Sequence, residues 1–185
     1  MGVISSIKKF YSISAPIPQR EDAEQTSGQR YYRSLAFQSF VAATVGYILY
    51  YVCRTSLNVM KKPIIDSGFL DAADLGLIGS CLLFAYAIGK AVNGFVCDYC
   101  NIKRFMITGL AVSTAVNFTL GMLGLVESLL PTEVTVVIFA ILWGINGWSQ
   151  SMGSPPAIIS LSRWFPLSKR GTFYGIFSAS HNLGE

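Results

Sequence analysis

The sequence predicts an all-α membrane protein with about four complete transmembrane helices plus an incomplete fifth. Three observations predict it. Apolar residues make up 52% of the 185 and charged residues only 13%, against about 25% charged in an average soluble domain. The apolar residues gather in runs near 35–60, 72–97, 105–126 and 134–161, each long enough to enter a bilayer. Short polar connections separate these runs, and basic residues are shared unevenly among the connections.

Residues 1–34 read as a cytoplasmic N-terminal segment. The first 14 residues lack the apolar core of a signal peptide. Val3, Ile4, Ile7, Phe10 and Tyr11 follow helical spacing, with Lys8 and Lys9 on the other side, which predicts a short helix on the membrane surface. Pro16 to Arg30 is polar, carries Pro16, Pro18, Gly28 and the acidic Glu21, Asp22 and Glu24, and reads as a flexible linker.

Residues 35–185 read as a transmembrane bundle. The first span runs from Leu35 to Met60 and stops at Lys61-Lys62-Pro63. Asp71 or Asp74 is placed to cap the second, from Ala72 to Cys97. The third runs from Phe105 to Val126; its Asn117-Phe118-Thr119 fits a glycosylation sequon but lies inside an apolar run and is discounted. An acidic loop from Glu127 to Glu133 leads to the fourth, Val134 to Leu161, where Pro155 and Pro156 bend or break the helix. Arg163 to Gly171 reads as a basic loop, and a fifth apolar segment starts at Thr172. The 15 residues from Gly171 to Glu185 make about 22 Å of helix, short of a roughly 30 Å hydrocarbon core, so this helix is expected to be incomplete.

The cations set the expected orientation. Lys8, Lys9, Arg20, Arg30 and Arg33, then Lys103 and Arg104, then Arg163, Lys169 and Arg170 fall on one side, and only Lys61 and Lys62 on the other. The expectation is a multi-pass protein of a bacterial inner membrane with its N-terminus in the cytoplasm. Basic residues scattered between apolar runs give no nucleic-acid patch. Cys97-x-x-Cys100 has metal or redox spacing but lacks a second ligand pair, so neither a metal nor another cofactor is expected. No nucleophile–histidine–carboxylate set is discernible, which argues against an enzyme.

Two cations inside spans carry the chemistry. Arg54 lies late in the first span, with Tyr47, Tyr50, Tyr51 and Asn58 on its helical face. Lys90 lies in the second, with Tyr86 four residues before it and Asn93 three after. A charge near the bilayer centre costs roughly 2.5–3.5 kcal/mol on insertion scales. Each cation either lines an aqueous cavity as an anion ligand or snorkels to the headgroups. Lys90 is about 10 Å from the end of its span, which is deep for snorkelling. No acidic residue lies in the interior of any span, so the missing counter-charge is expected to be a ligand, with phosphate or carboxylate suiting arginine's fork and lysine's point charge. Asn146, Ser149 and Gln150 either face the same wet space or pack helices together. His181, the only histidine, either couples binding to protonation or is a hydrogen-bonded packing residue.

Gly46 to Arg54, Tyr86-x-x-x-Lys90-x-x-x-Gly94-x-x-x-Asp98, Gly147 to Pro156, Arg170-Gly171 and His181 to Gly184 arrive in an order and spacing that resemble the organophosphate:phosphate antiporter family of the major facilitator superfamily. The hexose-phosphate transporter and sensor branch is the most similar, and glycerol-3-phosphate transporters share the motifs. The resemblance runs from about Tyr31 to the end. It implies a twelve-helix protein of two pseudo-symmetric halves, with a substrate site between them and rocking-type alternating access. It further implies that Arg54 binds phosphate with a second arginine from the other half, that Lys90 adds positive charge, and that His181, Tyr47, Tyr51 and Tyr86 line the pocket. Gly94, Asp98, Lys103 and Arg104 match parts of a loop whose charge contacts help control closure, although Tyr99 and Asn101 depart from the general pattern there. The implied function is exchange of a sugar phosphate, hexose 6-phosphate above all, for inorganic phosphate. A membrane sensor of hexose phosphate and a glycerol-3-phosphate antiporter are the alternatives. The second half is absent from the sequence, so the chain is expected to need the missing C-terminal half as partner and not to transport alone.

Overall fold

A computed structural model describes residues 3–13, 26–125 and 131–184. Most of the linker expected between Pro16 and Arg30, and residues 126–130 of the acidic loop, lie outside them. The chain forms α1 (Val3–Tyr11), α2 (Thr26–Asp66), α3 (Ala72–Asp98), α4 (Ile102–Leu125), α5 (Thr132–Gln150), α6 (Ser154–Trp164) and α7 (Leu167–Ala179), and then a 3₁₀ turn (Ser180–Leu183). Among the described residues, four stretches are long and apolar enough to cross a membrane: Arg30–Asp66, Ala72–Asp98, Ile102–Leu125 and Thr132–Trp164. α7 has 13 residues.

The boundaries follow from local chemistry. α2 continues past the expected stop at Lys61-Lys62-Pro63, because the donor that Pro63 lacks is missed only in the last turn. Gly68, at φ +73°, then reverses the chain. Its N–H reaches the Ile65 carbonyl at 3.0 Å and that of Phe69 the Ile64 carbonyl at 3.3 Å, which satisfies the orphaned helix end. α2 also starts at Thr26, so the 34/35 boundary marks a change of charge on one continuous helix. Asp71 caps α3: its carboxylate accepts from the Asp74 N–H at 2.7 Å, and Asp74 returns the contact to the Asp71 N–H at 3.3 Å.

The fourth span breaks at Ser151–Gly153, and Pro155 and Pro156 fall in the first turn of α6, where missing donors cost nothing. The basic loop expected from Arg163 to Gly171 is mostly helix. Only Phe165 and Pro166 separate α6 from α7, which begins at Leu167 and not at Thr172. Arg170 explains why so short a link suffices. Its guanidinium donates to the Phe165 carbonyl at 2.8 Å and the Ser162 carbonyl at 2.5 Å, tying off the end of α6.

α3 packs chiefly on α5. Leu75, Ile78 and Leu82 meet Phe139 and Trp143 in the main core, joined by Leu57 and Leu120. Gly147 makes this approach possible, since a Cβ there would overlap the backbone of Leu82. A second cluster, Phe40, Ala43, Ala157, Leu161 and Phe177, ties α2 to α6 and α7. Large apolar side chains such as Phe84, Phe95 and Phe118 point outwards, each at least 70% exposed, as suits a bundle solvated by lipid.

A candidate anion-binding site

The helical face around Arg54 divides in two. Successive residues turn by about 100°, so Tyr47 and Tyr51 lean to one side of Arg54 while Tyr50 leans to the other, the side of Leu57. Tyr47 and Tyr51 are half-buried, 5.1 Å apart by ring centroids, with their hydroxyls at 3.4 Å. Tyr50, expected on the same polar face, is instead 1% exposed and donates its hydroxyl to the Met106 carbonyl at 2.8 Å. Gly109 and Gly153 leave the room its ring occupies. Asn58 is exposed near the end of α2.

α3 brings the second cation. The Arg54 guanidinium carbon lies 4.6 Å from the Tyr86 ring centroid and 5.9 Å from that of Tyr51. The Lys90 ammonium lies 5.2 Å from the same Tyr86 ring and donates to the Tyr86 hydroxyl at 3.2 Å. Two helices therefore aim their cations at one tyrosine. Asn93, expected beside Lys90, turns inwards and donates to Ser151 Oγ at 2.6 Å, locking α3 to the break between α5 and α6. α7 closes the side of Tyr47 through Phe177, whose ring sits 4.6 Å from it. The turn after α7 carries the His181 backbone against α2, where Thr55 Oγ1 donates to the Gly184 carbonyl at 3.3 Å. The His181 side chain lies outside the described residues.

The electrostatics are lopsided. Among the described residues, every carboxylate sits at or beside a helix end: Asp66, Asp71, Asp74, Asp98 and Glu133. A cation–π contact contributes about 0.5–2 kcal/mol, less than the roughly 2.5–3.5 kcal/mol that a charge at bilayer depth costs. The Tyr86 ring thus offsets part of the cost for Lys90, and Arg54, which meets two rings, recovers a larger share; a ring neutralises neither charge, so attraction for an anion remains. A phosphate or carboxylate set there would meet arginine's fork, lysine's point charge and phenol donors. Among the described residues, no group of His, Cys, Asp and Glu is arranged to hold a metal ion.

A second polar cluster lies next to this face and is satisfied within itself, with Ser113, Asn146, Ser149 and Gln150 buried and Ser56 and Asn117 half-buried. Ser113 Oγ donates to Asn146 Oδ1 at 2.6 Å and accepts from Gln150 Nε2 at 2.8 Å, and Ser149 Oγ donates to the Asn146 carbonyl at 2.8 Å. Asn117 Nδ2 reaches the Cys53 carbonyl at 3.0 Å and its Oδ1 accepts from Ser56 at 2.5 Å. Asn146, Ser149 and Gln150 are thus helix-packing groups and do not face the cation site. The spacing of Ser113 and Asn117 on α4, one turn apart inside an apolar run, is the signal that identifies their side of the network.

The loop residues expected to act in closure lie at one end of the bundle. Gly94 and exposed Asp98 are on the last turns of α3, and exposed Lys103 and Arg104 are on the first turn of α4. Arg104 is engaged by α1: it donates to the Phe10 carbonyl at 2.5 Å and lies 4.8 Å from the Phe10 ring. Sequence reading missed this contact, because nothing in the spacing of α1 points to α4.

Residues 43–185 match the profile of the Major Facilitator Superfamily. A probable hexose phosphate transport protein of Chlamydia pneumoniae is 37% identical over 95% of this chain and 36% of its own length. The glycerol-3-phosphate transporter of Bacillus subtilis is 33% identical over 94% of this chain and 37% of its own. The membrane sensor protein UhpC of Salmonella typhimurium is 29% identical over 95% of this chain and 37% of its own. The chain thus spans little more than a third of the length of these curated relatives. No solved structure matches it significantly.

Proposed function

The chain belongs to the Major Facilitator Superfamily, and we propose that the protein containing it exchanges a sugar phosphate, hexose 6-phosphate in the first instance, for inorganic phosphate by alternating access. The observation that carries this is the convergence of Arg54 and Lys90 on Tyr86 with, among the described residues, no carboxylate beside them. In this proposal Arg54 grips the phosphate bidentately and Lys90 adds a second charge. Tyr47, Tyr51, Tyr86 and His181 complete the wall on this side, and Gly94, Asp98, Lys103 and Arg104 take part in closure. The protein is assigned to a bacterial inner membrane, which the bacterial origin of its relatives supports, with its N-terminus cytoplasmic, as the distribution of basic residues favours.

Uptake of labelled glucose 6-phosphate into phosphate-loaded proteoliposomes tests the proposal on the longest reading frame that contains this chain, beside the 185-residue chain itself. Uptake that requires internal phosphate and is competed by external phosphate is the expected result for the longer protein. Uptake independent of internal phosphate would exclude exchange. The likeness to a membrane sensor protein supports a second reading, in which the same residues bind hexose phosphate and signal without turnover; saturable binding with no uptake would select it. The likeness to a glycerol-3-phosphate transporter supports a third, selected if glycerol 3-phosphate outcompetes glucose 6-phosphate.

A further inference from the structure

α1 is docked, and it marks a depth. The Tyr11 hydroxyl donates to Thr108 Oγ1 at 2.7 Å and the Tyr11 carbonyl accepts from the Asn101 N–H at 2.9 Å, beside the Arg104 contacts to Phe10. Ile4, Ile7, Phe10 and Ile13 nonetheless remain 48–72% exposed. An amphipathic helix fixed to the ends of spanning helices with its apolar side uncovered belongs in the headgroup region, its apolar residues in the acyl boundary. The first turn of α4 is thereby placed at the same level.

At that level a cavity of about 400 Å³ opens between α2, α4 and α6, with Ile13 on its rim. Its wall is largely apolar, including Ala42, Gly46, Leu110 and Ala157, with Ser39, Asn101 and Ser160 among them, and among the described residues the charged ones that line it are Lys103 and Arg163. Among the described residues no carboxylate lines it, and it shares no residue with the Arg54 and Lys90 site. An aqueous anion has no use for an apolar wall, and an uncharged lipid has none for the cations.

We propose that this cavity binds an anionic phospholipid, with the phosphate between Lys103 and Arg163 and the upper part of one acyl chain along Ala42, Gly46 and Ala157. Basic pockets between spanning helices at the headgroup level suit such a ligand. The lipid would lie against the first turn of α4, whose Arg104 holds α1.

Native mass spectrometry of the purified protein, offered equal phosphatidylglycerol and phosphatidylcholine, tests this. The expected result is one retained phosphatidylglycerol, with preference over phosphatidylcholine falling roughly tenfold in Lys103→Gln/Arg163→Gln. Lys61→Gln/Lys62→Gln, at the other end of α2, should keep the preference. Ala42→Phe fills the apolar side without altering charge and should lose the retained lipid, which covers the case of a double variant that does not fold. Equal retention of both lipids by the wild type, or an unchanged preference in Ala42→Phe, would overturn the proposal. Displacement of the phosphatidylglycerol by soluble glycerol phosphate would overturn it too, in favour of a water-soluble ligand.

Discussion

Cys53 and Arg54 are neighbours in α2, yet they serve polar regions built on opposite terms. The Cys53 carbonyl accepts from Asn117 in a neutral network of Ser56, Ser113, Asn117, Asn146 and Gln150, in which donors and acceptors meet one another. Arg54 turns to the half-open face it shares with Lys90, where two cations meet aromatic rings and, among the described residues, no carboxylate. A buried neutral network that satisfies itself positions helices and needs nothing further. A face with surplus charge is complete only when a ligand arrives. Polarity within the bundle therefore does not by itself mark a binding site; in the proposed function it is the unbalanced charge that does.

Substitutions that cross this division separate the two regions. Arg54→Lys keeps the charge and loses the fork, so uptake should fall roughly 100-fold, the worth of about two charge-assisted hydrogen bonds, with the melting temperature unchanged. Near-normal uptake in that variant would move Arg54 to a structural role. Lys90→Gln should weaken phosphate affinity about tenfold, as expected for one charged partner on a partly exposed face. Asn146→Leu should do the reverse: it removes the acceptor of the Ser113 hydroxyl proton and lowers stability by about 1–2 kcal/mol, while the folded fraction binds ligand as the wild type does. A loss of affinity with stability intact would merge the two regions into one site. Tyr86→Phe keeps the ring below both cations and removes only the hydroxyl that Lys90 holds, so affinity should change by less than about fivefold.

Much of the fold was legible because bilayer depth and helical period constrain the sequence tightly. An aspartate cap and the limits of α3 follow from residue type alone, as does a break near Pro155, whereas the choice of Asp71 over Asp74 as the capping residue is made by the fold. The extent of α2 was less legible, because a proline in a last turn costs little and the stop lies at Gly68. The start of α7 was hidden because Arg170 caps α6 through contacts that only the fold brings about. Within the candidate site, Lys90 and Tyr86 could be paired by their four-residue spacing and Arg54 grouped with Lys90 as a second cation without a counter-charge, whereas the Arg54 contact with Tyr86 emerges only where the helices meet. Tyr50 and Asn93 could not be sorted in the same way. Each lies within a few tens of degrees of its cation, and which side of that angle faces α4 or α6 is decided by packing partners such as Met106 and Ser151.

The central claim is that Arg54 and Lys90 form the phosphate-binding side of the site. Calorimetric titration of inorganic phosphate and glucose 6-phosphate into the purified protein tests it most directly, with Arg54→Gln/Lys90→Gln as the comparison. The account predicts saturable binding of both ligands by the wild type and none by the double variant at an unchanged melting temperature. Equal binding by the two proteins would contradict it.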